Sequence, residues 1–248
     1  MKLIEKIKNK QIKVAVIGLG YVGLPLSMAL VKAGHYVQGI DCNQQWVDKL
    51  NKGHSNIKDV PDEKLQDSLN NRLFNASTDF GLISDVEAVI ICVPTPLNEA
   101  KEPDLSYIIK AMESITPYLK KETLISLEST TYPGTTKELI EDYVAKEKGW
   151  IVGKDFYVCY SPERVDPGNK VYSVENTPKV IGGSTEKCLQ IGRVLYESFL
   201  PQVVGVKTTK VAEMTKVLEN TFRCVNIALI NEMTMMCERM GIDIWEVI

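Results

Sequence analysis

Histidine is nearly missing from this chain. Two occur in 248 residues, His35 and His54, each directly after a glycine and so expected in turns. A histidine-based mechanism or metal cluster therefore has little support. The six cysteines (42, 92, 159, 188, 224, 237) form no pair at metal-ligand spacing, so no metal is expected. They read as reduced and mostly buried, as in a cytoplasmic protein. No basic run is interleaved with aromatics and the net charge is −3, which argues against nucleic acid as a partner. No apolar window is long enough to span a membrane. Met1 to Lys13 holds five lysines among Leu3, Ile4 and Ile7 and lacks the unbroken apolar stretch of a signal peptide. A short solvated helix is expected there. What remains is a 44% hydrophobic composition that suits a sizeable core, in a length that can hold one large α/β domain plus a fragment or two small domains.

The most informative stretch is Lys13 to Asp41. Val14-Ala15-Val16-Ile17 reads as a strand, followed by Gly18-Leu19-Gly20-Tyr21-Val22-Gly23, an apolar helical run to Ala33, and a second strand closing on Asp41. Glycines at this spacing, between a strand and a helix, with an acid about 20 residues on, form a dinucleotide-binding fingerprint. Gly18 permits the tight turn, Gly20 lets the backbone approach a pyrophosphate, and Gly23 allows close helix–strand packing. Unpaired N–H groups at the helix start suit the phosphates. Asp41 would accept hydrogen bonds from the adenosine ribose and repel a 2′-phosphate, with no cation in Cys42 or Asn43 to offset it. The expected cofactor is NAD rather than NADP.

Strands and helices alternate over roughly the first 200 residues. Helices are expected near Gln45–Asn51, Pro61–Leu69, Asp104–Leu119 (Asp104 as N-cap) and Gly134–Lys148. Ala88–Val93 is a continuous apolar run, as for a strand buried on both faces. Further strands are expected at Thr123–Leu127, Phe156–Cys159, Lys179–Ile181 and Val203–Val206. This alternation predicts an α/β fold with a doubly wound, mostly parallel Rossmann-type sheet, whose ligands bind beyond the carboxyl ends of the strands. From Thr208 to Arg239 there is no Pro or Gly and apolar residues recur at helical spacing. One helix of about 48 Å is expected. Its apolar surface needs a partner. The domains are therefore placed at 1–206 and 207–248, the second reading as a helical domain that is cut short.

Three further constellations carry chemistry. Lys216 and Asn220 share one face of the long helix. Alone, that pair reads as a solvated stripe. Ser161-Pro162-Glu163-Arg164-Val165-Asp166-Pro167-Gly168 follows a strand end and fits a ligand loop better than a generic turn. Ser129-Thr130-Thr131 and Pro133-Gly134 follow another strand end, where helix capping is the plainer reading. Together, at successive strand ends, they point to a site.

These motifs, with Val93-Pro94-Thr95-Pro96 and Glu128-Ser129-Thr130-Thr131-Tyr132-Pro133-Gly134-Thr135-Thr136, resemble the UDP-glucose/GDP-mannose dehydrogenase family along the whole chain. Ser-Pro-Glu-Arg followed by Asp-Pro-Gly is similar to the branch that oxidises UDP-N-acetylhexosamines to uronic acids for surface polysaccharides. The resemblance implies two successive hydride transfers to NAD at sugar C6, through a cysteine-bound thiohemiacetal and thioester. It implies catalytic roles for Lys216 and Asn220 at the reacting oxygen, Thr130 on a water, and Glu163 in binding and water activation. It places Gly18, Gly20, Tyr21, Val22, Gly23, Asp41, Val93, Pro94, Thr95 and Thr130 at the cofactor. It places Glu163, Arg164, Lys216, Asn220 and Arg223 at the UDP-N-acetylhexosamine. It further implies a homodimer built on the 208–239 helix. The family's nucleophilic cysteine lies in a Gly-Gly-x-Cys-x-Pro segment that is not found here, so the chain is expected to be an N-terminal fragment unable to complete turnover. Two rival readings stay open: a two-electron β-hydroxyacid or 6-phosphogluconate type dehydrogenase, and a non-catalytic NAD-binding dimerisation module.

Overall fold

The structure, a computed structural model, describes residues 2–164 and 177–248. Eight strands form one sheet: β1 (Lys13–Ile17), β2 (Tyr36–Ile40), β3 (Phe74–Ser77), β4 (Ala88–Ile91), β5 (Leu124–Leu127), β6 (Tyr157–Tyr160), β7 (Lys179–Gly183) and β8 (Val203–Val206). Their order is β3-β2-β1-β4-β5-β6-β7-β8. All neighbouring pairs are parallel except β6 with β7. The sheet is thus Rossmann-like and mostly parallel, as the alternating pattern predicts.

Strand periodicity divides the core. Val14 and Val16 face one layer with α2 (Gly23–Lys32), α3 (Gln44–Asn51), α4 (Asp62–Asn70) and α7 (Glu186–Glu197). Ala15 and Ile17 face the other, with α5 (Ser106–Ile115) and α6 (Asp142–Lys148). A strand sandwiched this way is buried on both faces, which is why Ala88–Ile91 is apolar throughout. The N-terminal helix α1 (Lys2–Lys8) differs from expectation. It is not merely solvated: Leu3 and Ile7 are buried in the layer that holds α7. β3 and α7 had no counterpart in the sequence reading. The expected 104–119 helix ends at Ile115 and continues as a single 3-10 turn, Thr116–Tyr118, with Pro117 at its start. The cap residue is Leu105 rather than Asp104, whose Oδ1 accepts the Ser106 N–H at 2.9 Å from one position earlier. The 134–148 segment opens as a π-turn, Lys137–Glu141, before α6 begins.

The reversal at β7 sets the course of the long helix. β7 and β8 run against β1 to β6, so Val206 leaves the sheet at the edge opposite the ligand-binding carboxyl ends. The chain then turns back as α8 (Thr209–Met240), capped by the Thr208 hydroxyl on the Val211 N–H. Its first turn lies directly on β7: a Cβ at Gly182 would sit 2.2 Å from the Thr208 carbonyl oxygen. Glu213, fully buried, accepts bonds from Gly134 N (2.6 Å), Thr136 N (2.8 Å) and Thr136 Oγ1 (2.6 Å). That clamp carries the next turn of α8 to the carboxyl edge. Beyond it the helix is largely uncovered. Leu218, Phe222, Val225, Ile227, Leu229, Met235 and Met236 are all exposed, and α9 (Ile244–Val247) folds back on the end of the helix.

Candidate active site

β1 has β2 on one side and β4 on the other, so the chain crosses over at this point and a crevice opens at the strand ends. A cleft of about 910 Å³ lies there, within the range for cofactor sites. Its walls include Gly18, Gly20, Tyr21, Val22, Asp41, Val93, Pro94, Thr95 and Thr130.

The three glycines have three different reasons to be glycine. Gly18 has φ +89°, and a Cβ there would meet the Cys92 carbonyl oxygen at 2.8 Å. A Cβ at Gly23 would fall 1.8 Å from the Gly18 carbonyl oxygen, so α2 can sit against β1 only without one. Gly20 is the opposite case: nothing lies within 4 Å of its would-be Cβ, which faces open cleft. No side chain caps the start of α2, so its positive end is open to an anion, although Leu24 N is spent on Gly20 O at 3.1 Å and Pro25 carries no N–H. Asp41 is fixed by backbone: Oδ2 accepts Leu19 N and Oδ1 accepts Asn43 N, both at 2.9 Å. Trp46 donates from its indole to Leu19 O at 3.0 Å and locks the same turn. The Asp41 carboxylate keeps further lone pairs for a ribose. This cradle fits NAD: an open glycine for the pyrophosphate, an uncapped helix start, and a fixed acid at the adenosine end.

At the other end of the cleft, Ser129 Oγ donates to Val93 O at 2.7 Å and ties the loop after β5 to the loop after β4. Thr130 is exposed beside it. Glu128 and Glu163 also line this end. Between these two carboxylates sits Lys179, buried at the start of β7. Its Nζ lies 2.5 Å from Glu128 Oε2 and 2.8 Å from Glu163 Oε2. Tyr196 donates to Glu128 Oε1 at 2.5 Å and pairs with Ser126 Oγ at 2.8 Å. Burial disfavours the Lys179 ammonium, but the two carboxylates outweigh that and raise its pKa. Burial pushes the Glu128 carboxyl up, with Lys179 opposing it.

Lys216 comes to this edge from α8, and its ammonium donates to Glu163 O at 2.5 Å. Burial lowers its pKa despite the nearby Glu163 and Glu219 carboxylates. Arg164 is held by Glu219 on α8, with Nε 3.0 Å from Oε2, and donates to Pro178 O at 2.8 Å. Asn220 and Arg223 lie one and two turns beyond Lys216 and are exposed, outside the cleft wall. Val165, Asp166, Pro167 and Gly168 lie outside the described residues. Glu128 was legible in the sequence only as part of a motif. Lys179, Tyr196 and Glu213 were not singled out at all. An ionisable residue opening a strand as apolar as Lys179–Gly183 was the available signal for the first.

Among the described residues, no group of three His, Cys, Asp or Glu side chains could hold a metal ion. No helix among them is long and apolar enough to cross a membrane.

Residues 12–200 match the NAD binding domain of the UDP-glucose/GDP-mannose dehydrogenase family, and residues 210–248 match its central domain. The chain is 40% identical over 237 residues to a UDP-N-acetyl-D-glucosamine 6-dehydrogenase of Pseudomonas aeruginosa, covering 94% of this chain and 55% of that one. It is 36% identical over 250 residues to a UDP-N-acetyl-D-mannosamine dehydrogenase of Methanococcus maripaludis, covering 98% and 56%. The solved UDP-D-ManNAc dehydrogenase of Pyrococcus horikoshii superposes with a TM-score of 0.89 at 34% identity, covering 95% of this chain and 56% of that one. The chain thus spans about half the length of the relatives it matches. From the glycine cradle, the strand-end loops and these matches together, the chain belongs to the UDP-glucose/GDP-mannose dehydrogenase family and its cofactor is NAD.

Proposed function

We propose that this chain forms the NAD-binding part of a cytoplasmic UDP-N-acetylhexosamine 6-dehydrogenase, which converts the C6 alcohol to a carboxylate with two NAD and one water per sugar. NAD supplies the hydride acceptor. What supports the reading is that Thr130 and Glu163 line the same cleft as the dinucleotide cradle, and that Lys216, outside the cleft lining, reaches the Glu163 carbonyl at 2.5 Å. Lys216 spends one N–H on Glu163 O and has two left for a substrate oxygen. A half-buried ammonium with a lowered pKa can stabilise developing oxyanion charge and release a proton more readily than an exposed lysine. The Glu163 carboxylate and the Thr130 hydroxyl can orient the water that hydrolyses the thioester after the second oxidation, releasing the thiol and forming the carboxylate. Asn220, Arg164 and Arg223 would meet the sugar nucleotide from the helix side.

The covalent step needs a thiolate, and these six cysteines suit it poorly. Burial pushes the Cys92 thiol well up and Cys159 to about 12. Cys188 and Cys237 are buried, Cys224 is midway along α8 and outside the cleft lining, and Cys42 is beside Asp41 at the adenosine end. In this reading the nucleophile comes from polypeptide other than these 248 residues, and residues 207–248 open a helical domain that pairs two copies through the uncovered face of α8. An enzyme carrying this chain should yield two NADH per UDP-N-acetylhexosamine and behave as a dimer in light scattering. One NADH per sugar would favour the two-electron rival. The 248-residue chain alone should bind NAD and form no NADH from UDP-N-acetylglucosamine; sustained formation by it would overturn the assignment of the nucleophile elsewhere.

A further inference from the structure

Lys179 is buried in a place where a strand would ordinarily carry an apolar residue. Its side chain is 5% exposed, and its two partners, Glu128 and Glu163, are 0% and 12% exposed. An apolar group of similar volume often serves stability as well as a buried ion pair, so stability alone does not account for three charges at this point. The location suggests another account. Because β7 runs antiparallel to β6, with Cys159 opposite Gly183 and Tyr160 opposite Gly182, continuing the register brings residue 163 opposite residue 179. The first residue of β7 therefore lies at the ligand edge, where both carboxylates line the cleft.

The bonds run on from there in a chain. Ser126 and Tyr196 fix Glu128, Glu128 fixes Lys179, and Lys179 fixes one oxygen of Glu163. The other Glu163 oxygen accepts the Arg164 N–H at 2.7 Å, and the Glu163 carbonyl receives Lys216 at 2.5 Å. Both groups assigned to the reacting end of the substrate thus hang on one residue whose orientation is set from inside the sheet. We propose that Lys179 is a positioning residue: it holds the Glu163 side chain, and through the Glu163 peptide it places the Lys216 ammonium. This rests on the functional reading above only for its consequence in turnover.

Two measurements test it separately. In the 248-residue chain, acetylation by acetic anhydride followed by mass spectrometry reads the anchoring of Lys216, with exposed Lys210 on the same helix as reference. Lys179→Met should speed acetylation of Lys216 several-fold while Lys210 and the NAD affinity stay unchanged, and Lys179→Arg should restore most of the protection. Unchanged reactivity at Lys216, or equal acceleration of both lysines, overturns the proposal. Should Lys179→Met fail to fold, the pair Glu128→Gln with Lys179→Met removes one charge of each sign and carries the same test. In an active enzyme carrying this chain, Lys179→Met should lower kcat by about ten- to a hundred-fold with KM for NAD unchanged, since small misplacements of catalytic groups cost that much. A lowered melting temperature with unchanged kcat overturns the positioning role. If the parent enzyme forms no NADH from any nucleotide sugar, the functional reading falls, and the acetylation result still decides the placement of Lys216.

Discussion

Lys216 donates to the backbone carbonyl of Glu163 at 2.5 Å, although the two residues stand on elements that leave the sheet at opposite edges. The contact exists because α8 starts on the far side of β7 and climbs back across it. Replacing Lys216 by alanine should therefore remove a group at the reacting oxygen without touching the dinucleotide cradle. In an active enzyme carrying this chain, kcat and kcat/KM should fall together by about two to three orders of magnitude, as for the loss of one oxyanion donor. NAD affinity, measured by calorimetry, should not change. A parallel loss of NAD binding would place Lys216 at the cofactor instead.

Gly20 and Gly23 should respond oppositely to the same substitution. Gly23→Ala drives a methyl into the Gly18 carbonyl and should cost about 1–3 kcal/mol in urea unfolding. Gly20→Ala meets only open cleft, so its unfolding midpoint should stay close to the parent. Its NAD affinity should drop about ten-fold or more, because the methyl occupies the approach of the pyrophosphate. If Gly20→Ala binds NAD normally, the cradle is not the phosphate site.

Asp41 should decide between the two dinucleotides. The parent chain should favour NAD over NADP by at least about ten-fold in a thermal-shift or calorimetric titration. Asp41→Asn removes the charge and leaves one oxygen where two are used, so one of the bonds from Leu19 N and Asn43 N is lost, and the preference for NAD should narrow. Equal affinities in the parent would strip Asp41 of its role.

His35 gives a pH dependence unrelated to the site. It is buried, paired with Ser198 Oγ at 2.7 Å, and its pKa is lowered to about 4 by burial and the nearby Lys10 charge. Unfolded, it titrates near 6.5. Its burial as a neutral ring is therefore fully tolerated above pH 6.5, and stability should fall as the pH drops from 6.5 toward 4, where only the unfolded chain takes up the proton. The loss should be at most about 3 kcal/mol. Urea unfolding at pH 7.5 and 5 should show it, and His35→Gln should flatten that part of the curve. An unchanged slope in the variant would assign the acid sensitivity elsewhere.

What the sequence made legible was local. Gly18, Gly20, Gly23 and Asp41 announce themselves because a tight turn, a close approach and a ribose contact each demand a particular residue at a fixed spacing. Ala88–Ile91 did so through its unbroken apolar run, and the long helix through its freedom from Pro and Gly. β3 escaped notice because Phe-Asn-Ala-Ser is short and half polar. α7 alternates charge and apolar groups between two glycine-bearing strands and had no boundary expectation. The pairing of Lys179 with Glu128 and Glu163 could not be read along the chain. It depends on the direction of β7, a tertiary choice that leaves no periodic mark. Glu213 was hidden likewise, as one acid on a helix with many polar residues, until the Gly134–Thr136 turn closed around it.

The uncovered length of α8 makes the helix a reporter on its own occupancy. Its first turns are tied down by Glu213, Lys216 and Glu219, so their amides can exchange with deuterium only when the sheet itself opens. Beyond Glu219, a solitary chain offers the backbone little more than helical propensity, and an unsupported helix of that length is marginal in water. Deuterium uptake along this one element should therefore break sharply near residue 219 in dilute solution. As protein concentration rises, the break should move toward Met240 if a second copy covers the face, so a single exchange profile measures both the clamp and the association.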